Sequence, residues 1–529
     1  MENNCFPAPI ENERPTVFAD RLGQWFGTNT QETRKKNLGQ YLTPIPVADF
    51  MSSLFTSIHK DTIKLLDPGA GTGTLCCAFC EKILTSLGRP SKIDIIAYEI
   101  DPDLCNLLER SLNYLTKTLA LIGVTLNVNL INSDFIIDNS KRLQNGYDAA
   151  LTSYDYIIAN PPYFKINKDD PRAVAASSVV YGQPNIYGLF MAVSASLLKP
   201  GGELVFITPR SYATGTYFRL VRDHFFSLVR PEHFHLFGSR RDAFDRDSVL
   251  QENVILRAVR HDEWSSTERK YSVSLSYSEG MADLVDVHTR QVDIHNIVNM
   301  KSKDKMLCLP ITQKDEDIIT AMHSWSGSLN AYKMEISTGP VVPFRAKGLL
   351  RFGQDKNTQT VPLLWMQNVQ AMDIKWPLRI NKEQYMVVCE DSASLLVPNS
   401  NYVLLRRFSS KEQDQRLTAA PLVKGMFEHV FLGLENHLNF IYRTNGELSN
   451  EEAYGLAAIY NSSILDSYFR AFNGNTQVNA TEIRLMPLPP LEVIREIGAY
   501  AIRVLPDRCN VNEYIKNRLV INAEFAVAR

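Results

Sequence analysis

The stretch with the clearest chemistry is Asn160-Pro161-Pro162-Tyr163. It closes Tyr154-Asp155-Tyr156-Ile157-Ile158-Ala159, an apolar, β-branched run that reads as a buried strand. Two consecutive prolines cannot donate to a ladder, so the strand ends there. The backbone is then stiff, with carbonyls free and no N–H at either proline. An Asn amide and a fixed carbonyl, with an aromatic ring beside them, thus stand at the carboxyl end of a strand, where open α/β sheets bind ligands. Two acceptors and a flat ring suit a planar group that carries an NH2. An ordinary strand-to-loop turn draws on the same residue types, so the preceding residues decide between the two readings.

Upstream, Ile63 to Leu66 reads as a strand, Asp67-Pro68-Gly69-Ala70-Gly71-Thr72-Gly73 as a turn, and Thr74-Leu75 as the start of a helix. Alternating glycines let backbone approach a ligand where a Cβ would clash. The spacing is G-x-G-x-G rather than the G-x-G-x-x-G of dinucleotide folds. Asp67 puts a carboxylate beside the loop, which favours an ammonium group over a pyrophosphate, and so an amino-acid-bearing nucleoside. A second strand, Ile93 to Tyr98, ends in Glu99, 26 residues after Gly73 and placed to accept from ribose hydroxyls. Asp101 reads as the cap of a helix that starts at Pro102. A third strand, Leu126 to Ile131, ends in Ser133-Asp134-Phe135: Asp134 can accept from an adenine amino group, and Phe135 can cover the ring. Ahead of the loop, Thr43-Pro44 reads as a helix start, with Thr as cap and Pro at the first helical position. Three strands that end in an acidic residue and a fourth that ends in Asn160, alternating with helices, predict a doubly wound sheet with a nucleoside site along one edge.

These elements sit in a chain of 529 residues with ordinary globular composition, 45% hydrophobic and 22% charged. The net charge of −2 excludes a uniformly basic surface but not a local basic cleft. Eight scattered cysteines suggest a reducing compartment. Cys77 and Cys80 form a lone C-x-x-C without a second pair, which predicts helix packing rather than a zinc site, and no metal is expected. There is no apolar signal region and no run of about 20 apolar residues, so a soluble, cytoplasmic protein is expected.

Taken in order, these motifs resemble those of the gamma-class adenine-N6 DNA methyltransferases of bacterial type II restriction–modification systems. Gly39-Gln40-Tyr41-Leu42-Thr43-Pro44 resembles their motif X, the Asp67 to Gly73 loop motif I, and Asn160-Pro161-Pro162-Tyr163 motif IV. Asn185-Ile186-Tyr187-Gly188-Leu189-Phe190 resembles motif V, Leu197 to Ile207 motif VI, and the segment from Asp242-Ala243-Phe244 to Ile255 motif VIII. The 86 residues between Gly73 and Asn160 are filled by the sheet, which leaves no room there for a recognition domain and fits the gamma order. The resemblance implies a Rossmann-like class I methyltransferase sheet with a C-terminal mixed α+β target-recognition domain, and S-adenosyl-L-methionine as cofactor. By resemblance Thr43 contacts the cofactor carboxylate, and Asp67 with Gly69, Gly71 and Gly73 holds its methionine part. Glu99 then takes the ribose, and Asp134 with Phe135 the adenine. Asn160 and the Pro161 carbonyl would accept the amino hydrogens of a target adenine, while Pro162 stiffens the turn. Tyr163 and, by motif VIII alone, Phe244 would stack on the base. The resemblance further implies double-stranded DNA as substrate, from which the adenine would be flipped at a cost of a few kcal/mol. A cognate restriction endonuclease is a functional rather than a physical partner, and the chain is expected to act as a monomer.

The second half changes character. Residues 1–260 are read as the catalytic domain, 261–330 as a connection and 331–529 as a recognition domain rich in strands and turns. Residues 331–430 hold 13 Lys and Arg against 9 Asp and Glu, a balance of 13 − 9 = +4, with Arg345, Lys347, Arg351, Arg406 and Arg407 among the basic residues. Arg and Lys near DNA serve phosphates, and Arg also reads guanine. Glu451 to Phe472 reads as one helix. Thr476-Gln477-Val478-Asn479 and Leu485 to Pro490 follow it, and this tail resembles the ends of recognition domains. The rival enzyme readings are RNA and protein-glutamine methyltransferases, which can also use Asn-Pro-Pro-Tyr but lack both the Thr43-Pro44 segment and a large C-terminal domain. A silent DNA-specificity protein is the rival of a different class, and the intact Asn160 and glycine loop argue against it.

Overall fold

The computed structural model describes residues 6–30, 42–56, 60–84, 89–143, 154–238, 252–261, 263–264, 271–300, 302–354, 358–409, 413–473, 477–504 and 511–519. The chain divides into two compact units, Met1–Ile311 and Thr312–Arg529.

The first unit is built on nine strands: β1 (Thr62–Asp67), β2 (Lys92–Tyr98), β3 (Thr125–Ile131), β4 (Tyr154–Ala159), β5 (Leu198–Pro209), β6 (Val229–Phe237), β7 (Asn253–Arg260), β8 (Ser272–Ser278) and β9 (His288–Asp293). They form one sheet in the order β3-β2-β1-β4-β5-β7-β6-β8-β9. The first five strands of that order are mutually parallel, and β7 enters antiparallel between β5 and β6. The order reverses between β1 and β4, so the loops after those two strands part to opposite faces and leave a crevice at their carboxyl ends. Both faces of the sheet are covered. Along β4, Ile157 and Ala159 enter one apolar cluster while Tyr156 and Ile158 enter the other. This double burial is why the strand reads as a continuous apolar run. Cys77 and Cys80 are fully buried within the second cluster, on the helix Thr74–Leu84.

The helix Pro102–Ala120 starts as the sequence indicates: Asp101 accepts from the Asp103 N–H at 3.0 Å and Pro102 takes the first position. The helix Ile45–Ser53 differs. Its cap is Pro44, its first turn holds Pro46, and no side chain caps it. Thr43 lies one residue before the cap, and its hydroxyl instead accepts from Asn160 Nδ2.

The stretch 261–330 is not a single connection. Strands β8 and β9 extend the nine-stranded sheet, and the two units part after Ile311. In Ser272–Ser278, serines alternate with Val273, Leu275 and Tyr277, and Val273 and Leu275 are buried in the core. A period-2 pattern diluted with serine is a weak signal in sequence, but pairing with β6 completes it.

In the second unit a four-stranded sheet contains Met334–Thr338, Leu438–Arg443, Tyr402–Arg406 and Ala419–Leu422, in that order. A five-stranded sheet contains Leu350–Arg351, Tyr385–Val387, Thr360–Leu364, Phe431–Leu434 and Leu396–Pro398. Helices Asn450–Tyr460 and Leu491–Val504 cross through two glycines: a Cβ at Gly455 would fall 1.9 Å from the Ile494 carbonyl, and one at Gly498 would fall 1.8 Å from that of Glu451. The expected single helix from Glu451 to Phe472 is two, because Asn461 ends one and the Ser462 hydroxyl, accepting from Leu465 N–H at 3.3 Å, caps the next. The segment at Gln477 and Val478 is a tether: Val478 donates to the Arg407 carbonyl at 2.7 Å and accepts from Asn439 Nδ2 at 2.8 Å.

Candidate active site

The glycine loop leaves β1 through Asp67 and turns with Gly71 at φ +56° and Gly73 at φ +86°, conformations that favour glycine. The Glu99 carboxylate ties the loop to β2. One oxygen accepts from Gly71 N–H at 2.9 Å and the other from Asp101 N–H at 2.9 Å. The Ala70 N–H meets the Tyr98 carbonyl at 2.8 Å. Asp67 lies beneath the loop and is fully buried, its oxygens facing the Cys76 thiol at 3.4 Å and Gly69 N–H at 3.4 Å. Burial pushes the Asp67 carboxyl up to about 7, against the pull of the Cys76 thiol and the Gly69 N–H. Burial does the same to Glu99, to about 7, against its backbone N–H partners Asp101 and Gly71. Glu99 lies next to backbone that a ligand can approach and offers a carboxylate to a cation or to hydroxyl donors, while Asp67 stays buried beneath the loop.

At the end of β4 the Asn160 amide is gripped from both ends. Its Nδ2 donates to Thr43 Oγ1 at 3.1 Å, and its Oδ1 accepts from the Tyr163 hydroxyl at 2.5 Å. The Tyr163 hydroxyl also reaches the Ile207 carbonyl on β5 at 3.1 Å. The Tyr163 ring is buried, edge-on to Tyr187 with centroids 6.0 Å apart. Thr43 is itself buried.

Asp134 follows β3 and caps the short helix Phe135–Asn139. One oxygen accepts from the Ile136 and Ile137 N–H groups at 2.9 and 3.1 Å, which leaves the other turned toward Arg172, whose Nε is 4.0 Å away. Arg172 also pairs with Asp170 at 2.6 Å and lies over the Phe164 ring, 5.4 Å from its centroid. Phe135 is buried between Tyr98 and Phe190, at 5.3 and 5.1 Å.

A single pocket collects Gly69, Gly71, Glu99, Asp134, Phe135, Asn160 and Pro162 from the residues that the sequence singles out. Thr43, Asp67, Gly73, Pro161 and Tyr163 do not line it; all but Gly73 are next in the chain to a residue that does. Phe244 lies outside the described residues, as do Gly39 to Tyr41 and the motif VIII segment up to Gln251. The pocket adds Leu42, Ile100, Phe164, Arg172, Ile186 and Phe190, which sequence reasoning did not select as site residues. Phe164 and Phe190 had a signal, one following the tetrapeptide and the other within the segment like motif V. Arg172 had none.

A glycine loop after β1, acidic residues at the ends of β1, β2 and β3, and a crevice at the β1/β4 reversal define a Rossmann-like sheet of the class I methyltransferase type. A family model described as Eco57I restriction-modification methylase matches residues 94–244. The chain is 34% identical to the Type II methyltransferase M.BsuBI of Bacillus subtilis over 475 residues, covering 88% of this chain and 91% of the relative. It is 30% identical to the Type II methyltransferase M.PstI of Providencia stuartii over 483 residues, covering 91% and 93%. The chain therefore belongs to the Type II methyltransferases of restriction–modification systems. Among solved structures, a DrdV–DNA complex matches at 14% identity with a TM-score of 0.47, over 92% of this chain and 59% of that one.

Proposed function

We propose that this methyltransferase uses S-adenosyl-L-methionine to methylate the exocyclic N6 of an adenine flipped out of double-stranded DNA, and so protects host DNA from a cognate endonuclease. The observation that carries this reading is the Asn160 amide, oriented at both ends and standing in the same pocket as Glu99, Asp134 and Phe135. The pocket fits the cofactor. Gly71 allows close backbone approach, Glu99 keeps lone pairs for ribose hydroxyls, and the uncapped oxygen of Asp134 suits an adenine amino group. Asp67, below the loop, supplies negative charge toward the ammonium end. When bound, the cofactor supplies a methyl group made electrophilic by its sulfonium.

An adenine amine is a poor nucleophile because its lone pair is delocalised into the ring, so the protein's task is alignment rather than strong base catalysis. Asn160 Oδ1 has a second lone pair beside the one that Tyr163 uses, and the Pro161 carbonyl is fixed next to it. Accepting the two amino hydrogens there draws the nitrogen toward tetrahedral geometry. Asn160 is neutral and is no proton sink, so the proton leaves to water. Stacking on the flipped base is assigned to Phe244, at about 1–3 kcal/mol. The Tyr163 ring, expected to stack as well, is buried outside the pocket and edge-on to Tyr187, so its assigned task is the orientation of Asn160.

The unit Thr312–Arg529 is assigned to target recognition. In support, residues 342–354 hold Arg345, Lys347 and Arg351 and no acidic residue. Arg406 and Arg407 are not part of that surface: they donate to the Val369 and Asn436 carbonyls at 2.6 and 3.1 Å and brace the fold. The test is transfer of labelled methyl from S-adenosyl-L-methionine to unmethylated double-stranded DNA, followed by nucleoside analysis. N6-methyladenine is expected; label only in RNA or protein overturns the reading.

A further inference from the structure

Two segments that reach the pocket through Phe164 and Ile186 carry an aromatic and cationic patch that the proposed chemistry does not use. The segment leading from Asn160 runs through Phe164 to Ile166, and backbone bonds pin it to the segment before the helix Ile186–Leu197. Ile166 N–H donates to the Pro184 carbonyl and Ile186 N–H to the Phe164 carbonyl, each at 3.0 Å. Tyr181 and Gly182 stand at the outer turn of that second segment. Gly182 has φ +69°, and a Cβ there would fall 2.5 Å from the Tyr217 ring, so the ring lies directly on the glycine backbone. Arg219 lies over Tyr181, 4.9 Å from its centroid. Both tyrosines are open to solvent, 42% and 48% exposed. Lys165 and Lys168 on the facing segment are exposed as well.

The patch is braced by the site itself. Tyr163 meets Tyr187 edge-on, Tyr187 stacks on Phe218 at 5.0 Å, and Tyr217 is the next residue along the chain. A row of buried rings thus runs from the catalytic tetrapeptide to the exposed pair. Two large rings held in water on a glycine turn, next to a guanidinium, expose stacking surface that the fold does not consume. A polymer substrate whose one nucleotide enters the pocket lays its neighbours on nearby surface, and these segments lead from the pocket to exposed rings. Aromatic faces accept any base, and adjacent Arg and Lys neutralise phosphates.

We infer that Tyr181 and Tyr217, with Arg219, form a stacking platform for DNA nucleotides that flank the methylated base. This rests on the DNA-methylating reading above. The experiment titrates the wild-type chain and the variants Tyr181→Ala, Tyr217→Ala, Tyr181→Phe and Tyr217→Phe with a fluorescent duplex carrying the site mapped in the wild-type methylation assay. Thermal midpoints and S-adenosyl-L-methionine affinity are measured in parallel. Each alanine variant is expected to weaken duplex binding about tenfold, with the phenylalanine variants near wild type and with midpoint and cofactor affinity unchanged. Alanine variants that bind the duplex like wild type overturn the platform while the methylation reading stands. So do alanine variants whose weaker binding follows a lowered midpoint, which would make the rings structural, or phenylalanine variants as weak as alanine. A wild-type chain that methylates no DNA overturns both.

Discussion

Asn160 is useful only if its amide points one way, and two hydroxyls decide that. Thr43→Val removes the acceptor of Nδ2, and Tyr163→Phe removes the donor to Oδ1. Each should lower kcat roughly tenfold to a hundredfold with little change in DNA affinity, whereas Asn160→Ala should lose at least about a hundredfold, in the range found when a preorganised transition-state partner is deleted. Single-turnover methyl transfer beside duplex binding separates the two effects. If Tyr163→Phe keeps full rate, the hydroxyl is not what orients Asn160. The carboxylates give a second residue-level prediction. Asp67 and Glu99 both sit near 7 because burial disfavours their charge. A cationic ligand favours the charged forms, so its binding must release protons in that range. S-adenosyl-L-methionine affinity, measured by calorimetry, should therefore rise about tenfold from pH 6 to pH 8, and Glu99→Gln should flatten the rise. An affinity independent of pH in wild type would remove these carboxylates from cofactor binding.

At the scale of elements, the glycine loop is fixed by backbone shape. A Cβ at Gly73 would lie 2.8 Å from Ser111 Oγ, which itself holds the Thr72 carbonyl at 2.5 Å. Adding the positive φ, Gly73→Ala should cost about 1–3 kcal/mol of stability, seen as a lower denaturant midpoint. On the far side of the sheet, β6 carries His233 and His235. His233 reaches the Ser276 hydroxyl at 2.7 Å, and His235 reaches those of Ser276 and Ser278 at 2.8 and 3.0 Å. Burial lowers them to about 4 and about 3. A histidine whose folded value lies below its unfolded value near 6.5 binds its proton in the unfolded chain first. Its contribution is thus intact above 6.5 and is lost as pH falls toward 4. Asp67 and Glu99 act oppositely over the same window, so the wild-type profile is a difference of the two. Replacing His235 with Asn should make the loss of stability below pH 6.5 shallower by up to about 1.4 kcal/mol per pH unit. An unchanged slope would mean that His235 titrates normally. What the sequence made legible follows from the same physics. Strand β4 stood out because burial on both faces writes an apolar run, β2 and β3 because apolar residues alternate with polar ones, and the acidic or amide strand endings stood out because chemistry sits at strand ends. Strand β8 was hidden by serines in a two-residue alternation, and Arg172 because it reaches the pocket from a helix of one turn, Pro171–Ala175. The double duty of Asp134, a cap with one oxygen and turned into the pocket toward Arg172 with the other, needs the fold, since the same Asp before a helix reads fully as a cap.

For the molecule as a whole the charge is −2, so affinity for a polyanion must come from local surfaces. In the second unit the segment 342–354 is a local basic surface without an acidic residue. Val341, Ala346 and Leu350 are buried and anchor it, while Phe344 and Phe352 stand 77% and 63% exposed. Arg345 and Lys347 are exposed beside them, and the Arg345 guanidinium lies 5.3 Å from the Phe344 centroid. Arg351 donates to the Gly348 and Leu350 carbonyls at 2.9 and 2.8 Å, which braces the turn. Apolar side chains displayed on a braced, acid-free loop suit wedging against base steps, and the basic ones suit phosphates. The two contributions separate by salt. The double variant Arg345→Ala with Lys347→Ala should weaken duplex binding uniformly across sequences and reduce the slope of log K against log salt by about 1.8, at about 0.9 for each phosphate no longer neutralised. Phe344→Ala should weaken binding with the slope unchanged, because no counterion release is involved. Fluorescence titrations of a duplex at several salt concentrations read both. An unchanged slope in the double variant would place phosphate binding by this chain on another surface, and a changed slope in Phe344→Ala would mean that the phenylalanine holds the cations in place rather than meeting DNA itself.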